Sequence, residues 1–358
     1  MKKLSALFVL VCAFAMAGCG TSVESEPAAN VENNAAAEET QASAGDSDGK
    51  ILVYLSGPEA MLTTLEEKFE AERGDVADFQ IMSCGEVRSK VWTEKEAGKI
   101  QADVVFGSDP LIFNKLDEEG LLCDLSAIEN VAAIGEEFST GEHHYLFVNE
   151  RYIAILYNKE AITQADAPKG FDALLDEQYA GKVIMADATQ SSTALGIASS
   201  LYQLKEKSYF EGLKANSVFL SKSNDQVQSS ILEGQYDLGI APHDSVIRIQ
   251  NKAKKEGYET PLAMLWPEDG AITIRRPIGV IKNDGRSEEE QKISEELVNF
   301  LLSKEAQTIT SNFGFVSVRN DMENKYLPEG VKKVNIDWEA ASKGEDEFKE
   351  IYEQIFQS

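Results

Sequence analysis

Ala102-Asp103-Val104-Val105-Phe106-Gly107-Ser108-Asp109-Pro110 passes from an apolar run to a turn and then to a helix start. A short apolar run closed by turn residues reads as a buried strand. Leu111, Phe113 and Leu116 then fall at helical spacing. The same grammar stands upstream. Lys50 to Leu55 is apolar, Ser56-Gly57-Pro58 ends it, and Met61, Leu62, Leu65 and Phe69 follow at spacings of three and four. Asp78 to Met82 is a second such strand, ended by Ser83-Cys84-Gly85 and followed by Val87, Val91 and Trp92. Strands alternating with helices, with Gly and Ser at each strand end, predict an α/β fold with a parallel sheet.

The pattern restarts after a longer apolar strand, Tyr152 to Asn158. Phe171 to Leu175 reads as helix and Lys182 to Ala186 as strand. Asp187 to Ser192 is a polar loop opening a helix with Leu195, Ile197, Ala198 and Leu201. Helix Val227 to Glu233 leads through Gly234 to strand Tyr236 to Ala241. Ile272 to Ile274 and Pro277 to Ile281 read as two strands, and Ile293, Leu297 and Phe300 mark an amphipathic helix. Two α/β units joined by long strands suggest two lobes with a cleft, the chain crossing near 153–156 and 276–280. The expected division is residues 50–152 with 280–330 as lobe 1, 153–279 as lobe 2, and a mostly polar helical tail at 331–358.

The N-terminus supplies an address. Lys2 and Lys3 precede an apolar run, Leu4 to Ala17, which closes in Ala15-Met16-Ala17-Gly18-Cys19. A basic start, a short apolar core and small residues at the cleavage point make residues 1–18 a secretory signal. The ending resembles a bacterial lipobox, which implies cleavage before Cys19 and acylation of its thiol. Residues 19–49 carry no aromatic residue and are rich in Ala, Ser, Glu and Asn. Such a segment buries too little apolar surface to offset its ordering entropy and is expected to be a disordered acidic tether. No later segment is long and apolar enough for a transmembrane helix. The protein is thus expected on the outer face of the cell membrane, held by lipid.

The net charge is −27, and loss of Lys2 and Lys3 with the signal makes it more negative. A chain of this charge is not a partner for nucleic acid. Cys84 and Cys123 remain after Cys12 is removed and Cys19 acylated. They form either one disulfide or two separate thiols; neither has the Cys-x-x-Cys spacing of a zinc or redox site.

Several stretches together resemble the extracellular solute-binding proteins of ABC importers, in the branch of ferric-iron, phosphonate, thiamine and sugar-phosphate binders. They are Tyr54-Leu55-Ser56-Gly57, Gln101 to Gly107, Ile155-Leu156-Tyr157-Asn158-Lys159, Phe171 to Leu175 with Tyr179-Ala180-Gly181-Lys182-Val183, Glu233-Gly234 before Asp237 to Ile240, and Phe300 to Gln307. The resemblance covers about Lys50 to Asn320. It implies a two-lobed periplasmic-binding-protein-like fold of type II, importer permease subunits as partners, a monomer, and no cofactor.

In open α/β sheets ligands sit beyond the carboxyl ends of the strands. Those ends carry Ser56, Gly57, Ser83, Ser108, Ser191, Ser192 and Thr193. Hydroxyls beside the free N–H groups of helix starts suit a phosphate or carboxylate, although each Ser or Thr also serves to cap its own helix. His243-Asp244 follows the strand ending at Ala241, and Trp266-Pro267-Glu268-Asp269 offers an aromatic face and an acceptor. In the resemblance, His243, Asp244 and Glu268 match a pattern that some sugar-phosphate binders set against the sugar. His143 and His144 are adjacent, so on extended chain they face apart and are not joint metal ligands.

The ferric branch uses neighbouring tyrosines in its second lobe, and this chain has no Tyr-Tyr pair. The one Gly-x-Ser-x-Gly match, Gly45-Asp46-Ser47-Asp48-Gly49, lies in the polar segment before the first strand and so makes no strand-to-helix elbow; with no His-Glu-x-x-His either, no hydrolase motif stands out. The expected function is capture of a small anionic organic solute, phosphorylated or a phosphonate, and its delivery to an ABC importer by hinge closure, without catalysis. The alternative is ferric-iron binding for such an importer.

Overall fold

The computed structural model describes residues 49–357. The signal peptide, Cys19 and nearly all of the tether expected at 19–49 lie outside the described residues. The first α/β unit is β1 (Ile51–Ser56), α1 (Glu59–Arg73), β2 (Ala77–Met82), α2 (Cys84–Glu96), β3 (Val104–Phe106) and α3 (Pro110–Glu118). A long strand, β4 (Leu146–Asn158), leads to β5 (Val183–Ala186), α4 (Ser192–Ala215), β6 (Phe219–Ser221), α5 (Asn224–Leu232), β7 (Leu238–Pro242) and α6 (His243–Glu256). Then come β8 (Leu262–Leu265), β9 (Ala271–Val280), α7 (Glu288–Leu301), α8 (Lys304–Asn312), β10 (Val316–Ser317), β11 (Lys333–Val334), α9 (Trp338–Lys343) and α10 (Glu345–Phe356).

The strands pair in the order β2-β1-β3-β9-β4-β7-β5-β6, with β8 and β10 on β4 and β11 on β9. Parallel pairing joins β1 to β2 and β3, β5 to β6 and β7, and β11 to β9; the two central strands, β4 and β9, are antiparallel to each other and to β7 and β3. The period-two alternation of strands decides which residues face which layer. In β1, Ile51, Val53 and Leu55 join one apolar cluster with Phe69, Phe106, Leu297 and Phe300, while Tyr54 joins the opposite one with Val91, Val105 and Phe113. In β5, Val183 and Met185 face one layer, and Ile184 and Ala186 the other. Each half of the sheet is therefore covered on both faces, as parallel sheets require.

β4 and β9 serve both halves. β9 pairs with β4 from Ile272 to Ile278, and with β3 from Ile278 to Val280. The two expected strands around 272 and 278 are thus one strand that runs through Pro277. A proline lacks the N–H a central strand needs. It is accommodated because the register against β4 shifts between Phe147 and Asn149, and the Pro277 carbonyl still accepts from Gly107 N–H.

Phe171 to Leu175 forms only a 3₁₀ turn, Asp172–Leu175, instead of an α-helix. Asp269 takes the Phe171 N–H, and the Asn216 side-chain amide donates to the carbonyls of Leu174 and Asp176, so the turn's ends are satisfied from outside. The tail is less polar than its composition suggests. α10 buries Phe348, Tyr352 and Ile355, and Phe348 and Tyr352 pack on Phe210 of α4. No described helix is long and apolar enough to cross a membrane.

Candidate anion-binding cleft

The carboxyl ends of β1, β2, β6 and β7, with the segments that follow β3 and β5, open on one cleft of about 620 Å³. The lining includes first-turn or capping residues of five helices: Pro58 and Glu59 for α1, Ser83 to Gly85 for α2, Ser191 and Thr193 for α4, Ser223 to Asp225 for α5, and Pro242 for α6. The first N–H groups of a helix have no intrahelical partner, and the helix dipole is positive there. Ser83, Ser191 and Ser223 each accept one N–H, from Glu86, Ala194 and Gln226. An accepting hydroxyl keeps its own hydrogen to donate. Five helix starts on one cleft present the free N–H groups and positive dipole ends that suit an anion.

Of the residues expected in the site, Ser56, Gly57, Ser83, Ser108, Ser191 and Thr193 line this cleft together. Ser192 does not. It faces an adjoining groove of about 470 Å³, which shares Ser83, Gly85, Gln190 and Ser191 as a common wall. The starts of α2 and α4 meet here: a Cβ built on Gly85 would stand 3.8 Å from Ser192 Oγ.

His243, Asp244 and Glu268 also stand apart from the lining, for physical reasons the sequence hides. His243 and Asp244 have no exposed surface. The Tyr152 N–H donates to His243 Nδ1 at 3.0 Å, and Tyr152 and Trp266 pack on its ring. Burial pulls the imidazole down to about 4, outweighing the opposing pull of Asp244, so it stays neutral. Asp244 lies in the first turn of α6 and takes two bonds from Arg151, Nε to Oδ1 at 2.8 Å and Nη2 to Oδ2 at 2.6 Å. Arg248 Nη1 donates to the same Oδ2. Burial alone would raise this carboxyl, but Arg151 and then Arg248 hold it well below the usual carboxylate range. Glu268 is exposed, and its N–H donates to the Lys169 carbonyl at 2.7 Å.

Sequence reasoning missed the cations. Arg151, Arg248 and Lys222, the residue after edge strand β6, line the cleft. Arg248 follows Asp244 at i+4, the helical spacing that pairs opposite charges, so that half was open to inspection. Arg151 lies in an apolar strand and meets Asp244 only through the β4–β7 pairing.

Cys84 and Cys123 are both free thiols. Cys84 lines the cleft at the start of α2. Burial pushes its thiol up to about 11, Asp109 adds to this, and the Ser108 N–H with the hydroxyls of Ser56 and Thr193 only partly oppose it. The sulfur is therefore uncharged and does not repel an anion.

Helices on both faces of a sheet whose two halves share central crossing strands, with a cleft at the strand ends, define the two-lobed periplasmic-binding-protein fold. Residues 100–344 match the family model described as bacterial extracellular solute-binding protein, and the chain belongs to that family. The role of this family is to bind a solute, not to catalyse a reaction. Among curated relatives, a putative 2-aminoethylphosphonate-binding periplasmic protein of Salmonella typhimurium is 25% identical over 239 residues, 64% of this chain and 66% of that protein. The match thus spans slightly less than two thirds of the relative's length.

Iron-bound HitA from Pseudomonas aeruginosa superposes with a TM-score of 0.72 at 20% identity, covering 86% of this chain and 99% of that one. The periplasmic binding protein AfuA from Actinobacillus pleuropneumoniae, with exogenous fructose-6-phosphate bound, gives 0.71 at 22% identity, covering 86% and 98%. Likeness at this identity shows the shared fold.

Proposed function

We propose that the protein captures a small organic anion, a phosphate ester or a phosphonate, outside the cytoplasm and delivers it to an ABC importer. The observation that carries this reading is the cleft: five helix starts with Arg151, Arg248 and Lys222 converge there, on a chain of net charge −27. A local positive field inside a negative protein serves a ligand, not solubility. The anionic head lies among Ser83, Ser191, Thr193 and Ser223 with Arg151 and Arg248, and Ser56 and Ser108 complete its bed. Asp244 takes no ligand; it orients both arginines. The lobes, residues 50–152 with 280–330 and residues 153–279, close about β4 and β9.

Cys19 carries the lipid that holds the protein to the outer face of the membrane, after removal of residues 1–18, and the protein acts as a monomer. Two 2-aminoethylphosphonate- and fructose-6-phosphate-binding relatives by name support the ligand class. The ferric reading rests on relatives such as HitA. The cleft lining favours it less, because it offers a cation no tyrosine or histidine, and its carboxylates are Glu59 and Asp225.

A thermal-shift screen of chelator-treated protein tests the assignment, since a ligand that binds only the native state raises its melting temperature. Organic phosphates and phosphonates are expected to raise it without added metal. Shifts confined to ferric salts or to polyamines would overturn the anion reading.

A further inference from the structure

Among the described residues, Arg276 is the largest side chain with no exposed surface. It stands on β9 just before Pro277, where the strand passes from one half of the sheet to the other. Its Nε donates to Ser108 Oγ at 2.8 Å, its Nη1 to Asn149 Oδ1 at 3.2 Å, and its Nη2 to the Ser56 carbonyl. The rings of Phe106 and Phe315 flank the guanidinium, 4.4 and 4.7 Å away. Gly57 leaves it room: a Cβ there would stand 2.6 Å from Nη2. Each guanidinium nitrogen thus donates one bond, yet no described carboxylate is within ion-pair distance of it. Burying a cation without a charged partner is costly, and neutral hydrogen bonds offset only part of that cost.

The charged and titratable groups facing Arg276 are few. From α6 come Asp244 and Arg248, from β4 Arg151, and from α2 the uncharged Cys84 thiol. His243 is neutral. Asp244 is already shared by Arg151 and Arg248. Three guanidiniums against one carboxylate leave two positive charges behind the cleft. Burial, and then Arg151, pull the Arg276 guanidinium down to about 9, the mark of a cation short of a counter-charge. Ser56 and Ser108, which receive its hydrogen bonds, both line the cleft. A Ser108 hydroxyl that accepts from a cation is a stronger donor to whatever lies beyond it.

We propose that Arg276 is a charge-compensating positioning residue of the ligand site, and that with Arg151 and Arg248 it selects a doubly charged anionic head group. This rests on the anion reading of the cleft and sharpens it: a phosphomonoester or phosphonate dianion is preferred to a phosphodiester or carboxylate monoanion. The missing partner of the buried guanidinium is the ligand itself.

The test uses methyl phosphate and dimethyl phosphate at about pH 8, where the monoester is doubly charged and the diester singly charged. Calorimetric titration of the unaltered chain is expected to show the monoester bound at least about 30-fold more tightly. Arg276→Gln, which keeps donors but removes the charge, is expected to lose about 30-fold in monoester affinity and much less in diester affinity. Its ligand-free melting temperature should stay the same or rise, because an unpaired buried charge has gone. Arg276→Lys should recover part of the monoester affinity. A purely structural arginine would do the reverse, lowering the melting temperature of the Gln variant and sparing discrimination. Equal affinity of the unaltered chain for both esters overturns this inference alone, whether or not the variants fold. Binding of neither ester, nor of methylphosphonate, overturns it together with the anion reading.

Discussion

Two of the buried ionic clusters among the described residues are built differently. Behind the cleft, Arg151 and Arg248 share the single carboxylate Asp244, and the surplus cation Arg276 is sealed from water without an ion-pair partner. At the start of α10, Glu345 is 1% exposed and meets Arg88 at 2.5 Å, Lys115 at 3.0 Å and Lys349 at 2.5 Å. Arg88 also donates to Asp109, the N-cap of α3, at 2.8 Å. Burial would raise the Glu345 carboxyl, but Arg88 and then its other partners hold it down at about 2. Here too cations outnumber anions. The difference is that the side chains of Lys115 and Lys349 keep 30% and 40% of their surface in water. Solvent absorbs that surplus; Arg276 has neither solvent nor a described carboxylate at ion-pair distance. The lesson is that a buried ionic cluster marks a site when its surplus charge has no access to water.

The comparison breaks most readily at Asp244. Asp244→Asn leaves three guanidiniums without a counter-charge and is expected to cost about 3–5 kcal/mol in urea unfolding of the ligand-free chain. A cost under about 1 kcal/mol would mean that the cleft cations are solvated like those around Glu345.

His243 gives the next effect, through pH. Its folded imidazole is held down at about 4, below the ordinary value of 6.5. The unfolded chain therefore binds more protons between those limits, and stability falls as pH drops from about 6.5 to about 4, by about 3 kcal/mol in all. His243→Asn, which keeps an acceptor for the Tyr152 N–H, should flatten that slope. An unchanged slope would place the proton uptake elsewhere.

Glu345→Gln separates the two clusters. It strips a buried carboxylate from Arg88 but leaves two half-exposed lysines to water, so a loss of about 2 kcal/mol is expected. Phosphate-ester affinity should stay within about twofold, measured by calorimetry beside the unfolding curves. A stability loss as large as that of Asp244→Asn, or a matching loss of affinity, would erase the distinction drawn here. Ser223→Ala makes the smallest change. It removes the cap that accepts Gln226 N–H and should cost about 1 kcal/mol.

The sequence carried the fold because periodicity is local. The runs at 51–55, 78–82, 102–106, 183–186 and 236–241 alternate with helices, and each becomes a strand of the sheet. β6, with Phe219 half-exposed at the end of the sheet, and β8 are as short as β3 and β5 but did not stand out. The hydroxyls of the cleft were legible for the same reason: Ser56, Ser83, Ser108 and Ser191 sit at strand ends. The charged half was not. Arg151 and Arg276 lie within apolar strands and reach Asp244 or Ser56 only through pairing between distant segments. His243-Asp244 looked like a ligand pair because chemistry-bearing residues stood at a strand end. Burial beneath the cleft makes the first a backbone partner and the second a counter-ion.

The most direct measurement is a crystal structure of the chelator-treated protein with 2-aminoethylphosphonate, its phosphorus located by anomalous scattering. The account predicts phosphorus among the starts of α2, α4 and α5, with oxygens in hydrogen-bond reach of Arg151 or Arg248 and of Ser108. Phosphorus against Trp266 and Glu268, or a cleft that fills only when ferric iron is added, would contradict it.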